Sequence, residues 1–192
     1  MRIAAAVLLG LAVAACGADS GAAQQTPPRV TVTDLRGTPT PSFAGQLLIT
    51  DRHSVFGMIV RSPRDPATGL MVVEMLTSQT ASQVHLGGAK IDAMSFVYDL
   101  DCATMRYRLA HQVMYERTGR PLSQTNLDNT MIDGPMASYL QPACGREASG
   151  GVQTGETFAS MEAFLAAADL IEEPYRANLP RPTITVTPRR GN

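Results

Sequence analysis

The sequence predicts an α+β fold, in which an antiparallel β-sheet carries one or two helices on one face and a single disulfide closes the domain. Apolar and polar residues alternate through residues 94–102 and again through 105–115, which is the two-residue period of strands with one buried face. Apolar residues then recur at helical spacing through residues 158–171. Because the sheet is the only large apolar surface available, we expect that helix to pack against it.

Residues 1–15 have the features of a lipoprotein signal peptide. Arg2 precedes an apolar run that is too short to span a membrane, which takes roughly 20 apolar residues in a helix. The run ends in Val-Ala-Ala at residues 13–15 and then Cys16, which resembles the lipobox at which bacteria lipidate a cysteine and cleave before it. We expect Cys16 to anchor the protein in the cell envelope, and Gly17 favours the outer membrane. The alternative is a plain signal peptide with a coincidental cysteine.

The cysteine count agrees with lipidation. The chain has three cysteines, and an odd number in an exported protein normally indicates a free thiol or an intermolecular bridge. If Cys16 carries lipid, Cys102 and Cys144 remain, and a disulfide between them is expected in an oxidising compartment. Neither has a second ligand at metal spacing and the chain has no CxxC motif, so no metal site is predicted.

Composition limits the classes of partner and of chemistry. The chain has 16 basic and 17 acidic residues. Arg2 is the one charged residue that cleavage before Cys16 removes, which leaves 15 basic against 17 acidic residues and a formal charge near -2. Nucleic acid is therefore not an expected partner. The sequence has no nucleophile elbow, phosphate loop, HExxH or dinucleotide fingerprint. We predict that the protein is not an enzyme, with no catalytic residue and no cofactor.

The chain divides into four segments. The signal peptide is followed by the lipidated cysteine and a flexible tether at residues 16–45, a single α+β domain at 46–178 and a Pro/Arg-rich tail at 179–192. Two short β-prone segments, residues 29–33 and 183–187, lie outside the predicted domain. They are candidate edge strands or low-complexity tails.

Within the domain, residues 47–49, 54–61 and 70–77 are predicted strands separated by turn residues. The two alternating runs that follow are predicted to form a hairpin around Ala103 and Thr104. The first run would place five residues on the core side of the sheet, namely Met94, Phe96, Tyr98, Leu100 and Cys102. The second would place Met105, Tyr107, Leu109, Val113 and Tyr115 on one face and Arg106, Arg108, Gln112 and Glu116 on the other.

Two helices are predicted after the hairpin. Asp133 is a candidate N-cap for a short helix that carries Met136, Tyr139 and Leu140 inward and delivers Cys144 to Cys102. Thr157 is the candidate cap of the second helix, which is predicted to end at Pro174.

Few polar residues are candidates for a functional site. His53, His85 and His111 are far apart in sequence, and His111 shares the predicted apolar face with Leu109 and Val113, which favours a core histidine over a catalytic one. Asp99 and Asp101 should face Arg106 and Arg108 across the hairpin and form weak surface ion pairs. The same arginines, with two more further along the chain, could instead form a basic patch for a partner protein, made of Arg106, Arg108, Arg117 and Arg120.

The segment around the second cysteine resembles a known family. Residues 101–108, Asp-Cys-Ala-Thr-Met-Arg-Tyr-Arg, are followed by Tyr115, Gly119 and the closing Cys144, and this pattern is similar to the surface-adhesin protein E family of Gram-negative lipoproteins. The resemblance covers about residues 54–144. It implies an antiparallel sheet with one or two helices, a disulfide between Cys102 and Cys144, and adhesion to host matrix or serum proteins.

The chain departs from that pattern in two places. Relatives often carry a tryptophan where this chain has Asn129 and Thr130, and the helix from Thr157 with the following tail lies outside the resemblance. We therefore expect this chain to share the fold and the disulfide of the family more than its adhesion, because function depends on surface sites more than on the scaffold.

Three functional hypotheses follow. The first is a non-enzymatic envelope lipoprotein that binds a protein partner, either a matrix or an envelope protein. The second is a periplasm-facing structural or assembly accessory, and the third is a hydrolase that modifies envelope material. The oligomeric state is left open, a homodimer included.

Overall fold

The structure, a computed structural model, describes residues 30–50, 54–80 and 84–176. Eight antiparallel strands form one sheet, and their bounds are β1 Val30–Asp34, β2 Gly45–Thr50, β3 Val55–Ser62, β4 Leu70–Ser78, β7 Ala93–Asp101, β8 Arg106–Tyr115, β9 Pro121–Leu127 and β10 Val152–Phe158. Their order in the sheet is β1-β9-β8-β7-β4-β3-β2-β10. A small hairpin of β5 His85–Leu86 and β6 Ala89–Lys90 precedes β7.

Two α-helices complete the domain, which confirms the predicted α+β class. Helix α1 is Ala137–Leu140 and continues into a 3-10 turn at Gln141–Cys144, and helix α2 is Met161–Arg176. The predicted placement of the helices on one face is wrong, because α1 and α2 pack on opposite faces of the sheet. Phe164 and Leu165 of α2 join a core that includes Leu47, whereas Leu140 of α1 joins a core that includes Leu48, the neighbouring residue on β2. Successive residues of a strand point to opposite faces, so each face of the sheet is partly covered by a helix.

We call these clusters the α2-side core and the disulfide-side core. The strand β7 contributes to both of them. Tyr98 and Leu100 lie in the disulfide-side core with Phe96 and Cys102 packed against it, as predicted. On the opposite face Ala93 belongs to the α2-side core.

The predicted faces of β8 are wrong beyond Ala110. Val97 pairs with His111 and Tyr98 pairs with Leu109, so Ala110 is an extra residue in the strand, a β-bulge. One extra residue exchanges the two faces of all that follows. The disulfide-side core therefore contains Tyr107 and has Met105 and Leu109 packed against it, while Val113 and Tyr115 lie in the α2-side core.

The hairpin between β7 and β8 is confirmed, and its turn is capped by a carboxylate. The backbone of Ala103 and the hydroxyl of Thr104 donate to Asp101 at 2.9 and 2.7 Å. These two bonds lower the pKa of Asp101. Met105 adopts the left-handed conformation with φ 59°, the role that glycine has in most such turns. The side chain of Asp101 therefore stabilises a turn in which Ala103 and Thr104 stand where tight hairpins favour glycine or asparagine.

Both helix starts differ from the predicted ones. Helix α1 is capped by Met136 without a side-chain hydrogen bond, so Asp133 is not its N-cap. Thr157 is the penultimate residue of β10, and the hydroxyl of Ser160 accepts from the N–H of Ala163 at the start of α2. The helix also continues past Pro174. The predicted apolar face is nevertheless correct, because Met161, Phe164, Leu165 and Ala168 are all buried.

The domain begins earlier than residue 46. Strand β1 pairs with β9 over five residues, and Phe43 is buried in the α2-side core. The described part of residues 16–45 is thus not a free tether, because β1 is hydrogen-bonded to β9 and Leu35 and Phe43 pack on the α2-side core. Residues 1–29 and 177–192, which contain the predicted signal peptide, Cys16 and the predicted tail with its β-prone segment 183–187, lie outside the described residues.

The two remaining cysteines form the predicted disulfide. The Cα atoms of Cys102 and Cys144 lie 5.5 Å apart, and the bond joins the turn after β7 to the 3-10 turn after α1. Arg146 adds a hydrogen bond from Nη2 to the carbonyl of Cys102 at 2.6 Å. The bond therefore fastens α1 to the disulfide-side core.

Gly119 is expected to tolerate no side chain. Its φ is +82° and an added Cβ would lie 2.6 Å from the ring of Phe43 and 3.2 Å from Cβ of Met161. We expect Gly119→Ala to lower the free energy of unfolding by about 2 to 3 kcal/mol, from backbone strain and overpacking together. Gly37 is the matched control, because its φ is +94° with nothing within 4 Å of the added Cβ. Urea denaturation of the two variants measures the difference, and equal losses would contradict the packing argument.

Candidate functional site

A shallow groove lies on the α2-side face of the sheet, beside the half that α2 covers. Its volume is about 400 Å³. The floor is formed by sheet residues and one wall by the segment 35–43, which we call the strap. The residues that line the groove include Thr38, Pro39, Pro41, Arg61, Val72, Glu74, Val97, His111, Val113 and Tyr115.

Glu74 is the buried charge at the centre of the groove. It is only 2% exposed, although it lies in the apolar strand β4. Its Oε2 accepts from Nε of Arg61, and its Oε1 accepts from the hydroxyl of Tyr115 at 3.0 Å. Burial and the charge of Glu74 raise the pKa of Tyr115, so this phenol keeps the proton that it donates. The carboxylate is thus compensated by two donors, which a buried charge requires.

Arg61 links this buried carboxylate to the strap. Its Nη1 donates to the carbonyl of Ser42, and its guanidinium lies 5.5 Å from the ring centroid of Phe43. Phe43 in turn meets Tyr115 edge to face, with ring centroids 5.3 Å apart. These contacts connect Ser42 and Phe43, at one end of the strap, to Glu74 through Arg61 and Tyr115.

His111 lies on the groove floor in the same row as Glu74. It pairs with Val97 on β7, which pairs with Glu74 on β4, so two strand spacings, roughly 10 Å, separate the two backbones. The imidazole is half-buried. Burial lowers the pKa of His111, and the negative charges of Glu74 and Asp99 oppose that shift. His111 shares this face with Val113 but not with Leu109, because the bulge at Ala110 separates them.

The stability of the fold should depend on pH through His111. Its pKa in the folded protein lies below the ordinary value of 6.5, so the unfolded chain binds a proton more readily. The stabilising contribution is complete above about pH 6.5 and is lost as the pH falls through the folded pKa. We expect His111→Gln to lose less stability than the original protein between pH 7.5 and 5.5 in urea denaturation. A variant with the same pH dependence as the original would show that His111 does not contribute.

The four arginines of the predicted basic patch do not form one surface. Arg106 and Arg108 lie at the start of β8, whereas Arg117 and Arg120 follow its end, on the order of 30 Å away for a strand of this length. Each also faces a carboxylate. Arg108 contacts Asp99 at 2.7 Å, Arg120 contacts Glu116 at 2.6 Å, and the longer pairs are Arg106 with Asp133 at 3.9 Å and Arg117 with Asp169 at 3.8 Å. The predicted ion pair of Arg108 with Asp99 is confirmed. The predicted pair of Asp101 with Arg106 is wrong, because Asp101 caps the turn and Arg106 faces Asp133.

Sequence reasoning missed Glu74 and Arg61, the two charges at the centre of the groove. The signal was present, since Glu74 is a single acidic residue in the otherwise apolar run Leu-Met-Val-Val-Glu-Met-Leu. A charge at such a position needs a partner from another strand. Of the other histidines, His85 lies in the small hairpin and His53 lies outside the described residues.

The described residues include neither a helix that could span a membrane nor a cluster that could hold a metal ion. Among residues 30–50, 54–80 and 84–176, no helix is long and apolar enough to cross a membrane. Within the same ranges, no group of three or more His, Cys, Asp or Glu side chains could hold a metal ion.

Comparison with known proteins leaves the family open. No protein-family model, no curated protein and no solved structure matches this chain significantly.

Proposed function

We propose that this protein is a non-enzymatic lipoprotein of the cell envelope that binds a protein partner, with a domain of the surface-adhesin protein E type. The observation that carries the export part of the proposal is the disulfide between Cys102 and Cys144. Disulfides form and persist in oxidising compartments, which agrees with the signal peptide and the lipobox read from residues 1–16.

The groove supports binding of a protein more than of a small molecule. It is open and shallow, with an apolar floor of Val72, Val97 and Val113 and polar groups at its centre. Small-molecule sites enclose most of their ligand, whereas protein surfaces of this kind contact a projecting side chain or an extended segment. His111 is a half-buried polar residue of the floor beside Val97 and Val113, and we propose that it contacts the partner.

Two alternatives differ from this proposal in where the domain faces and what it does. A periplasm-facing assembly accessory would share the anchor and the disulfide. A hydrolase would need His111 to act with Asp99 or Glu74, but Asp99 bonds to Arg108, and Glu74 bonds to Arg61 and Tyr115. A positioned base normally depends on a partner that orients it, so the hydrolase is the least supported of the three.

Two measurements on cells test the proposal. Cys16→Ala should abolish incorporation of radioactive palmitate and release the protein from the membrane fraction, while Cys102→Ala and Cys144→Ala should remain labelled. Protease added to intact cells should digest the domain if it faces outside, and protection until lysis would favour the periplasmic accessory.

A third measurement tests binding. The full chain, on cells, should adhere to at least one member of a panel of immobilised matrix proteins, and His111→Ala should weaken this by removing the proposed contact. Val60→Ala is the control, because Val60 is 46% exposed on the opposite face of the sheet. Adhesion that is unaffected by His111→Ala would remove the groove from the proposal.

A further inference from the structure

Strand β1 leaves one side of its backbone without a strand partner in the described part of the chain. It lies at the end of the sheet and pairs only with β9. All five of its residues are exposed, and Val30 and Val32 are 53% and 71% exposed. An exposed apolar edge strand is a template on which another strand can form.

The hydrogen bonds of β1 show which residues face outward. Asp34 pairs with Ser123, so Leu35 lies opposite Leu122, and the N–H of Leu35 donates to the carbonyl of Leu122 at 3.1 Å. Directly opposite residues in antiparallel strands alternate between bonded and non-bonded pairs. The backbones of Thr31 and Thr33 therefore bond to β9, and those of Val30, Val32 and Asp34 point to the open side.

The other end of the sheet is protected. The pairing of β10 with β2 is interrupted between Thr154 and Thr157, where Gly155 and Glu156 intervene. Bulges and edge charges of this kind hinder the addition of a further strand. Strand β1 has no bulge, since its five pairs with β9 are consecutive, and its sequence Val-Thr-Val-Thr-Asp lacks proline and lysine. Its one charge, Asp34, is the last residue of the strand and is paired with Arg36.

We propose that β1 is a self-association edge, at which a second copy of this chain adds its own β1 antiparallel about a two-fold axis at Val32. Only this register lets all three outward-facing residues meet outward-facing residues. Val32 lies opposite the partner's Val32, and Val30 lies opposite the partner's Asp34, each pair exchanging two hydrogen bonds.

The charges of β1 are compatible with this pairing. The two copies of Asp34 lie at opposite ends of the paired strands, so no like charges face each other. Asp34 is in addition neutralised locally by Arg36, whose Nη2 lies 2.5 Å from the carboxylate. Five residues make a small contact compared with the roughly 1,000 Å² of a stable interface, so the association should be weak and is best detected by cross-linking.

Cysteine cross-linking in cells tests the register. Two differently tagged full chains are expressed together, one with Thr31→Cys and the other with Thr33→Cys. These positions form a non-bonded pair with Cα atoms about 4.5 Å apart, within the range of a disulfide. In the matched control both chains carry Thr31→Cys, and the two positions lie beyond the limit of roughly 7 Å.

We expect a disulfide-linked heterodimer on non-reducing gels from the first pair, at least fivefold more than from the control. No heterodimer from the first pair, or equal amounts from both, would overturn the proposal. A cross-linked product of another mass in its place would also overturn it, because the edge would then bind a different protein.

A proline at the axis provides a second test, in the same cross-linking chains. The N–H of Val32 points outward, so Val32→Pro removes a bond to the second copy and none to β9. Adding Val32→Pro to both cross-linking chains should abolish the heterodimer while the urea midpoint stays unchanged. Thr33→Pro removes a bond to β9 and should lower that midpoint. Cross-linking that survives Val32→Pro would overturn the proposal.

Discussion

Removal of the disulfide is expected to lower the free energy of unfolding by about 4 kcal/mol, the chain-entropy value for closing a loop of this length. Cys102 and Cys144 are 42 residues apart, and the loop between them contains β8, β9 and α1. Without the bond the unfolded chain gains freedom, while the folded state loses the attachment of α1 to the sheet. A loss of this size is a large share of the stability of a small domain.

The double variant Cys102→Ser/Cys144→Ser is the clean form of this experiment, because a single substitution leaves a reactive thiol. Urea denaturation under non-reducing conditions measures the effect. The original protein with a reductant is the control and should unfold at the midpoint of the double variant. Superimposable curves for the oxidised protein and the double variant would show that the bond does not stabilise the fold.

Glu74→Leu is expected to lower the free energy of unfolding by about 3 kcal/mol. Breaking a buried ion pair costs about 3 to 5 kcal/mol because one charge is left unpaired, and we take the lower end since the Arg61 side chain is 25% exposed. The substitution also removes the acceptor of the Tyr115 hydroxyl. The strap should loosen at the same time, because Arg61 holds the carbonyl of Ser42.

Two further variants separate the ion pair from the hydroxyl. Tyr115→Phe should cost only about 1 kcal/mol, the usual net value of one hydrogen bond. Arg61→Met in the Glu74→Leu background should recover part of the loss, since replacing both members of a buried pair by apolar residues is often close to neutral. If the double variant is less stable than the sum of the two single variants predicts, the charges of Glu74 and Arg61 do not stabilise each other.

The parts of the fold that sequence predicts well are those with a strong period. Residues 94–102 carry an apolar residue at every even position, so β7, the residues on its disulfide-side face and the approach of Cys102 to the core follow directly. The α2 face follows in the same way from Met161, Phe164 and Leu165. In both segments burial is set by a repeat that the chain displays locally.

The parts that sequence does not predict depend on partners distant in the chain. Strands β9 and β10 are rich in Gln, Thr, Asn and Gly, because they lie at or near the sheet ends, where one face or one edge meets solvent. The bulge at Ala110 leaves no mark in the composition of β8. The sequence also could not show that the four arginines of the predicted patch face carboxylates, because those partners are known only once the strands are paired.

The covalent ring from Cys102 to Cys144 also determines how the domain would respond to a protease. A single backbone cut anywhere between these residues would leave two fragments joined through sulfur, with β8 and β9 still able to pair across the nick. Such a nicked molecule would migrate as one band until a thiol reductant separates it into two. For a domain exposed outside the cell, this is a form of resistance that the hydrophobic cores alone do not provide.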